Sequence, residues 1–502
     1  MAYDASMRLP APCVAACPAG IDIPRYIGYV EQGKFTEAHS VVRESIPLPM
    51  ACGMICYRPC ESWCRRGIME EPVAINAIKR AAVEHGDARD GRDGRHKPVA
   101  RATGKRVAVV GSGPAGLTAA YYLSSRLGHA VTLFDAMPEL GGQLRIGLPE
   151  YKVPRDWLRE EVEEITATRV ELRAGVRVES LDALAGEFDA VLLAIGHGRA
   201  LRLDIEGEDL PGVGAAADFL RDVNLGKPWT IGRRVVIFGG NNVAIDSARC
   251  ALRLGAETVR VIVPGPEDEA AAHDFEIRAA VDEGVEVLAM QRPVSIALAA
   301  PSPSPASKEA IEFLLVSMER LAVVETDVYG RSRMTPEPGS GFTLEADTVL
   351  VSAGQRPNVP SAWGLALGGD GFLKVDRETL MTSREGIFAA GDAVTGPDSI
   401  VEAMAQGKKA ASSIDRRLGG DGDISETFAP ALGAEMAMPA ALAGQGKGAR
   451  AMPRISTDGR PKSFALVEKG YGKEDAVAEA RRCIRCDLWR TGAPEVWSRQ
   501  EG

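Results

Sequence analysis

The sequence predicts an α/β fold in which a helical, cysteine-rich segment precedes two doubly wound parallel sheets. Three observations support this prediction. Six of the nine cysteines lie between Cys13 and Cys64, where strand patterns are scarce. A short apolar strand, a glycine turn and an amphipathic helix follow one another at residues 106–127, and the same order returns at residues 234–254. This alternation is typical of doubly wound sheets, and a chain of 502 residues is long enough for about three domains.

The linking and terminal segments differ from these domains in composition. Residues 85–105 are rich in Gly, Asp, Arg and Lys and nearly lack large apolar side chains, which predicts a surface linker. Helical patterns before this linker occupy Ile23–Glu31 and residues 72–83. After residue 419 a run of Ala, Gly, Met and Pro predicts weak order, until a helical pattern at residues 474–482 leads into Cys483. We expect this tail to return and pack on another part of the chain.

Composition and charge exclude several classes of function. The net charge of -10 and the pI of about 5.4 provide no basic surface for nucleic acid or for anionic lipid. The first residues lack a signal-peptide pattern, and a run of about eighteen apolar residues occurs nowhere. We therefore expect a cytoplasmic protein without a membrane span. In a reducing compartment, clustered cysteines indicate metal ligation rather than disulfides.

The first glycine turn predicts a dinucleotide site. A strand at residues 107–110 runs directly into the sequence GSGPAG, and a helix follows, which is the full context that a GxGxxG turn requires. Asp135 ends the next strand, where an acidic side chain accepts hydrogen bonds from a ribose. The alternative is a glycine turn in a domain that binds no nucleotide. The turn residues expected at the pyrophosphate are Gly111, Gly113, Pro114, Ala115 and Gly116.

A second segment indicates that this dinucleotide is FAD. Residues 386–393, with the sequence GIFAAGDA, resemble the second FAD fingerprint of two-dinucleotide-domain flavoproteins. The resemblance implies that Gly391 and Asp392 hold the ribityl chain or the pyrophosphate. A helix that begins at Ser399 and Ile400 would then direct its positive end at the flavin pyrimidine ring and stabilise the anionic reduced form.

The second glycine turn predicts a nicotinamide nucleotide. Asn241 occupies the position of the usual second glycine, and Asn is the non-glycine residue that best tolerates positive φ. We expect the turn to survive with a side chain near the pyrophosphate. The alternative is a domain that kept the fold and lost the ligand. The residues expected at this nucleotide are Gly239, Gly240, Asn241, Asn242, Val243 and Gly354.

The loop after the next strand bears on which nicotinamide nucleotide binds. It has the sequence PGPED at residues 264–268 and lacks the arginine pair that would bind a 2′-phosphate. An acidic loop repels this phosphate and suits a free ribose hydroxyl. NADH is therefore predicted in preference to NADPH.

Eight of the cysteines form two potential sets of four metal ligands. Thiolates at these short spacings, one of them followed by Pro, fit iron-sulfur clusters. Zinc is the main alternative, together with inert thiols. Cys250 has apolar neighbours on a helix and is predicted to be a buried core thiol. The eight candidate ligands are Cys13, Cys17, Cys52, Cys56, Cys60, Cys64, Cys483 and Cys486.

Nearly the whole chain resembles a known family: the small subunit of bacterial glutamate synthase, the N-terminal half of dihydropyrimidine dehydrogenase, and related iron-sulfur flavoprotein reductases. The resemblance rests on the sequence PCVAACP at residues 12–18, the cysteines from Cys52 to Cys64, the first glycine turn, and the pair Gly391 and Asp392. It also rests on the sequence GGQLR at residues 141–145. It implies roles at the FAD for Gly142, Gln143, Leu144 and Arg145.

The resemblance also implies the domain organisation and the route of the electrons. Residues 1–98 form a helical domain for two clusters, and residues 105–227 with 358–418 form the FAD domain. Residues 228–357 form an inserted NAD(P)H domain, and residues 419–502 form the tail. Electrons move as hydride from nicotinamide to flavin, and then singly through two 4Fe-4S clusters. No catalytic acid or base is expected, because the cofactors carry the chemistry.

Two departures from the family pattern affect the cluster ligands. The usual CxxC upstream of Cys13 is missing, so we expect Cys483 and Cys486 to replace it, unless the C-terminus is a frayed tail without ligands. Relatives complete the second cluster with Gln or Glu, but the matching residue is Lys79, which cannot ligate iron; Cys52 is the candidate replacement. The first cluster would use Cys13, Cys64, Cys483 and Cys486, and the second Cys17, Cys56, Cys60 and Cys52.

The predicted function is electron transfer between NAD(P)H, FAD and two 4Fe-4S clusters, to or from a catalytic oxidoreductase subunit or a ferredoxin in a hetero-oligomeric complex. One alternative is a flavin disulfide reductase of the thioredoxin reductase kind, which needs a redox CxxC beside the flavin, where the second sheet offers only Cys250. Another is a non-catalytic redox sensor, which only Asn241 supports. For residues 419–452, disorder and a partner-binding arm are both open.

Overall fold

The structure, a computed structural model, describes residues 10–86, 100–299, 302–303, 310–311, 313–327, 332–432 and 448–488. Most of the predicted linker at residues 85–105 therefore lies outside the described residues. Within the described residues no helix is both long enough and apolar enough to cross a bilayer.

The N-terminal segment is built from short helices. Four of them carry proline in their first two positions. A backbone N–H there has no partner within the helix, so proline costs no hydrogen bond. Asp22 caps the second helix by accepting a hydrogen bond from the backbone N–H of Arg25. The pattern predicted at residues 72–83 corresponds to a helix that begins at Ile75 and ends at His85. The helices are Pro12–Ala15, Ile23–Glu31, Phe35–Arg43, Pro49–Ile55, Pro59–Ser62 and Ile75–His85.

The first sheet has five parallel strands, in the spatial order Ile387–Ala389, Ala190–Leu193, Arg106–Val110, Ala130–Asp135 and Val170–Ala174. The strand Ile387–Ala389 pairs with Ala190–Leu193, so the chain leaves this sheet and later returns to it. The helix predicted after the first glycine turn begins at Pro114 and continues as a π-helix over Tyr122–Arg126. The helices around this sheet are Pro114–Tyr121, Gln143–Ile146, Arg155–Thr166, Leu181–Glu187, Asp392–Thr395 and Ile400–Arg417.

The second sheet also has five parallel strands, in the order Val213–Ala215, Thr348–Val351, Arg234–Phe238, Thr258–Ile262 and Glu286–Leu288. Its helices are Ala216–Asn224, Asn242–Arg253 and Asp274–Asp282. Two parallel sheets behind a helical N-terminal segment confirm the predicted fold class.

An antiparallel sheet, which the sequence patterns did not predict, packs on the second parallel sheet. Its strands are Gln291–Leu298, Leu314–Thr326, Ser332–Pro336 and Phe342–Ala346. Alternate residues of the long strand, such as Leu314, Val316 and Met318, are buried with Phe238 of the parallel sheet. Short pairs join Ser302–Pro303 to Ala310–Ile311 and Arg199–Ala200 to Gln355–Arg356.

The C-terminal tail packs against the rest of the chain. The expectation of weak order from residue 419 is wrong for residues 419–432, because the Glu44 carboxylate accepts hydrogen bonds from the backbone of Phe428 and Ala429. The Tyr29 hydroxyl donates to the Pro430 carbonyl at 2.8 Å. Backbone groups buried by such contacts need these partners. Residues 433–447 lie outside the described residues, and the helix Lys473–Ala480 follows.

Candidate FAD, nicotinamide and iron-sulfur sites

The first glycine turn joins the central strand of the first sheet to the helix Pro114–Tyr121. Gly111 has φ +107°, and its N–H donates to the carbonyl of Phe134. A Cβ at Gly116 would stand 1.9 Å from the Gly111 carbonyl oxygen, so only glycine permits this strand-to-helix approach. Asp135 accepts hydrogen bonds from the backbone N–H of Ser112 at 2.7 Å and of Met137 at 2.8 Å. Asp135 thus lies beside the turn, at the carboxyl end of its strand.

Two distant segments meet this turn. A Cβ at Gly142 would stand 2.7 Å from Gly113, and a Cβ at Gly391 would stand 3.0 Å from Ala115. The Gly391 N–H donates to Gln406 of the helix Ile400–Arg417, whose N-terminus is capped by the Ser399 side chain. Three glycine-containing segments therefore converge at one helix N-terminus, where backbone N–H groups favour a pyrophosphate.

His197 also lies in this region, and sequence reasoning missed it. Its buried Nδ1 is 2.9 Å from the Asp392 carboxylate, and its carbonyl accepts a hydrogen bond from the Gln143 amide at 3.1 Å. A single histidine outside a motif carries no signal of its own in the sequence. Only the folded sheet brings it beside Asp392.

The second glycine turn keeps its shape because Asn241 serves as a helix cap. Asn241 has φ -105°, so its position does not require the positive φ that we had considered. Its side-chain oxygen accepts a hydrogen bond from the Ala244 N–H at 3.1 Å, and its amide donates to the Ser352 carbonyl at 2.9 Å. The side chain is thereby held against the next strand and the helix N-terminus.

The loop after the strand Thr258–Ile262 folds back over this turn. Its end is fixed where the Ala272 N–H donates to the Gly240 carbonyl at 2.8 Å. The acidic Glu269 accepts hydrogen bonds from the backbone N–H and the hydroxyl of Ser332. The loop therefore presents carboxylates and no basic side chain between residues 264 and 272.

A cavity of about 40 Å³ lies between the two nucleotide domains. Residues of the first domain, including Gln143 and Gly147, line it together with Val243 and Gln355. A larger cavity of about 420 Å³ lies at the amino ends of the first sheet's strands. Ligands of parallel sheets bind at the carboxyl ends, so this larger cavity does not belong to the cofactors.

Four thiols from opposite ends of the chain form the first cysteine group: Cys13, Cys64, Cys483 and Cys486. Burial raises the pKa of the Cys13 thiol, and the other three thiols raise it further. Burial likewise raises the pKa of Cys483 to about 12 and of Cys486 to about 11. A metal must bind thiolates, so the fold has gathered thiols that ionise with difficulty unless a cationic centre compensates them.

Glu479 docks the C-terminal helix Lys473–Ala480 beside this group. The Glu479 carboxylate is fully buried and accepts hydrogen bonds from the backbone N–H of Ala74 and of Arg450, each at 2.9 Å. It also pairs with Arg482 at 2.6 Å, and the Arg482 guanidinium donates to the carbonyls of Glu71 and Pro72. These contacts bring the two C-terminal cysteines to the N-terminal domain.

The second cysteine group lies deeper. Cys17, Cys56 and Cys60 line one small cavity together with Lys79, whose side chain is buried. The Lys79 ammonium donates to the Cys52 sulfur at 3.0 Å. Two effects lower the pKa of Cys56 to about 5: the larger is a hydrogen bond from Cys52, and the smaller is the positive charge of Lys79.

The two cysteine groups suit a cluster better than a single metal ion. In the described parts of the chain, no three His, Cys, Asp or Glu side chains lie close enough to hold a single metal ion. A zinc ion would need its donors within bonding distance of one point, whereas a 4Fe-4S cluster holds its cysteines around a larger core. Groups made of thiols fit iron-sulfur chemistry.

Cys250 is fully buried in the second domain, far from a CxxC partner in the sequence.

Two family models match the chain. The model described as pyridine nucleotide-disulphide oxidoreductase matches residues 105–407. The model described as dihydropyrimidine dehydrogenase domain II, 4Fe-4S cluster, matches residues 9–90. Among solved structures, FprA from Mycobacterium tuberculosis in complex with NADPH matches with a TM-score of 0.51 at 21% identity. The match covers 64% of this chain and 87% of that chain and shows the fold alone.

Curated relatives extend over nearly the whole chain. The beta subunit of NADP(+)-dependent formate dehydrogenase from Moorella thermoacetica is 36% identical over 95% of this chain and 70% of that protein. The beta subunit of NADPH-Fe(3+) oxidoreductase from Geobacter sulfurreducens is 33% identical, over 95% of this chain and 75% of that protein. The small chain of NADPH glutamate synthase from Halomonas elongata is 32% identical, over 80% and 87%. The chain therefore belongs to the pyridine nucleotide-disulphide oxidoreductase family, as an FAD- and pyridine nucleotide-dependent electron-transfer oxidoreductase with an N-terminal 4Fe-4S domain.

Proposed function

We propose that this chain oxidises NADH, or forms it in reverse, and exchanges the electrons through FAD and two 4Fe-4S clusters with a catalytic partner subunit or a ferredoxin. The observation that carries this proposal is the meeting of Cys13 and Cys64 with Cys483 and Cys486. Four thiols drawn from both ends of a chain that also holds two nucleotide turns make a ligand set for a cluster.

The residues of the chain bind, orient and shield the cofactors. When bound, FAD supplies the conversion between two-electron hydride transfer and one-electron transfer. The N-terminus of Pro114–Tyr121 would hold its pyrophosphate, with Asp135 at the ribose and Asp392 at the ribityl chain. The amino end of the helix Ile400–Arg417 would face the flavin ring. No side chain needs to act as acid or base.

We assign the cluster ligands as two sets. The first set is Cys13, Cys64, Cys483 and Cys486, supported by the electrostatic influence of these thiols on one another. The second set is Cys17, Cys56 and Cys60 with Cys52 as the fourth ligand. Cys52 is supported by its position within hydrogen-bonding distance of Cys56, while Lys79 can only compensate negative charge.

The preference for NADH rests on the loop at residues 264–272. Its carboxylates, including Glu267, Asp268 and Glu269, would repel a 2′-phosphate. The relatives named above carry NADP or NADPH in their names, so this loop is where we expect the present chain to differ from them. A direct comparison of the two nucleotides decides the point.

We propose that the electron partner is a separate polypeptide, because several relatives are named as beta subunits or small chains. Clustered free thiols persist in a reducing compartment, for which the cytoplasm is the expected place.

The deciding experiment is an anaerobic titration of the purified protein with NADH and, separately, with NADPH. Flavin bleaching is followed optically, reduced clusters are counted by electron paramagnetic resonance, and iron is analysed. We expect bleaching at lower concentrations of NADH and about eight irons per flavin, as two four-iron clusters require. Flavin that neither nucleotide reduces, or zinc in place of iron, would refute the proposal. Preferential bleaching by NADPH would refute only the nucleotide assignment.

A further inference from the structure

A basic cavity of about 60 Å³ lies where the cysteine-rich domain, the second nucleotide domain and the C-terminal tail meet. It is separate from both glycine turns, and no residue of either turn lines it. Cys56 and Tyr151 form part of its wall. Its basic wall residues are Arg58, Arg80, Lys152, Arg249, Arg454 and Arg460.

The two acidic residues of the wall are already engaged. Glu276 lies 2.7 Å from the Lys152 ammonium, and Glu468 lies 2.8 Å from the Arg454 guanidinium. Arg80 and Arg249 have carboxylate partners outside the wall, Glu84 and Glu283, each at 2.7 Å. The other two basic residues also have acidic neighbours: the charge of Arg58 acts on the Glu61 carboxyl, and Arg460 lies 3.7 Å from Asp282.

Both of these arginines have buried nitrogen atoms without a hydrogen-bond partner in the described residues. The Arg460 side chain is only 8% exposed, and its Nη1 approaches the half-exposed Asp282 carboxylate no closer than 3.7 Å. Its Nε donates to the Ile455 carbonyl at 3.0 Å, which orients the guanidinium. Arg58 stacks on the Phe275 ring at 5.0 Å, and its buried Nε has no hydrogen-bond partner in the described residues. Buried N–H donors without a partner favour the binding of a ligand that supplies hydrogen-bond acceptors.

We propose that this cavity binds a small, multiply charged oxyanion of the phosphate class. Guanidinium groups match the geometry of tetrahedral oxyanions and bind them through paired N–H donors. The cavity is far smaller than the roughly 300 Å³ or more that nucleotide-sized ligands occupy. A protein with a net charge of -10 has no general attraction for anions, so binding must come from the buried guanidinium nitrogens of Arg58 and Arg460 that lack a hydrogen-bond partner.

An anion at this point would join three parts of the chain. Arg58 belongs to the cysteine-rich domain, Phe275 and Glu276 to the second nucleotide domain, and Arg460 to the tail. Binding to the folded state alone stabilises it, so the ligand would hold these parts together.

The test uses the holoprotein in a buffer without phosphate. Inorganic phosphate is titrated while the thermal unfolding midpoint is followed, with sodium chloride at equal ionic strength and NADP⁺ as parallel arms. We expect saturable stabilisation by phosphate, absent with chloride. Arg460→Gln should weaken the apparent affinity about tenfold or more, because a charged hydrogen bond to the anion is lost. Arg159→Gln, at an exposed residue on another helix, is the matched control and should titrate like the wild type.

Crystals soaked in tungstate supply a second measurement that needs no variant, with an anomalous peak expected between Arg58 and Arg460. Stabilisation equal with phosphate and chloride, or equal in Arg460→Gln and wild type, would overturn the proposal. A peak elsewhere, or stabilisation by NADP⁺ alone, would also overturn it.

Discussion

The two cysteine groups are assembled in different ways. The second group comes from one stretch of chain, from Cys17 to Cys60, and its members flank or lie within the short helices Pro12–Ala15, Pro49–Ile55 and Pro59–Ser62. The first group depends on the tail, because two of its four thiols follow the helix Lys473–Ala480. The comparison teaches that one cluster site is a local motif, while the other exists only when the chain has closed on itself.

The groups also differ in charge. The first contains thiols whose ionisation is opposed by burial and by one another, while Arg485 and Arg65 act in the opposite direction on Cys483 and Cys486. The second includes the buried ammonium of Lys79, which favours thiolates near it. If both hold 4Fe-4S clusters, the second should therefore be easier to reduce than an all-cysteine site without a cation.

The largest expected effect is loss of one cluster by a single substitution. Cys483→Ser should remove the first cluster, so that iron falls from about eight to about four per flavin, while the second cluster keeps its resonance signal. Cys56→Ser is the matched variant in the other group and should have the opposite effect. Iron unchanged in Cys483→Ser would show that the tail supplies no ligand.

Undocking the tail should have the next largest effect. Glu479→Gln removes a buried carboxylate that holds Ala74, Arg450 and Arg482, and should destabilise the fold by about 3–5 kcal/mol. The first cluster should be lost before the second during urea titration, followed by visible absorbance. Glu474→Gln, at an exposed position on the same helix, is the control. Simultaneous loss of both clusters would contradict the proposed independence of the second group.

The fourth ligand of the second cluster can be identified by two substitutions. Cys52→Ser should weaken or remove this cluster if Cys52 is its ligand. Lys79→Met should retain the iron but lower the midpoint potential of the same cluster, by on the order of tens of millivolts, because a buried positive charge is lost. Potentiometric titration followed by electron paramagnetic resonance measures both. Eight irons in Cys52→Ser would place the fourth ligand elsewhere.

The smallest effect concerns the first part of the tail. Burial raises the pKa of Glu426 to about 7, although hydrogen bonding to Tyr121 opposes this. The unfolded chain loses this proton first, so stability falls as pH rises from about 4.5 to 7. Glu426→Gln should remove this trend. Relative to wild type, its free energy of unfolding should therefore increase by up to about 3 kcal/mol between pH 5 and pH 8. Thermal midpoints at the two pH values measure it, with the exposed Glu385→Gln as control. A pH profile of Glu426→Gln that runs parallel to that of the wild type would refute the assignment of this trend to Glu426.

The nucleotide turns could be predicted because their signal is local. Gly116 is needed because the helix approaches the carbonyl of Gly111, only five residues earlier in the chain. The role of Asn241 could not be predicted, because its amide bonds to Ser352, which lies 111 residues away. His197 was missed for the same reason, since its partner Asp392 lies 195 residues away, at the start of the helix Asp392–Thr395.

The sequence by itself determined the fold class, the two glycine turns and the presence of eight clustered cysteines, because strand–turn–helix periodicity and short cysteine spacings act between near neighbours. The tertiary structure decided which thiols share a group, how the tail docks through Glu479, and where Arg58 and Arg460 face a common cavity. These features join residues hundreds of positions apart. Their contacts form only when burial of the core brings the separate segments together, and no local pattern records that outcome.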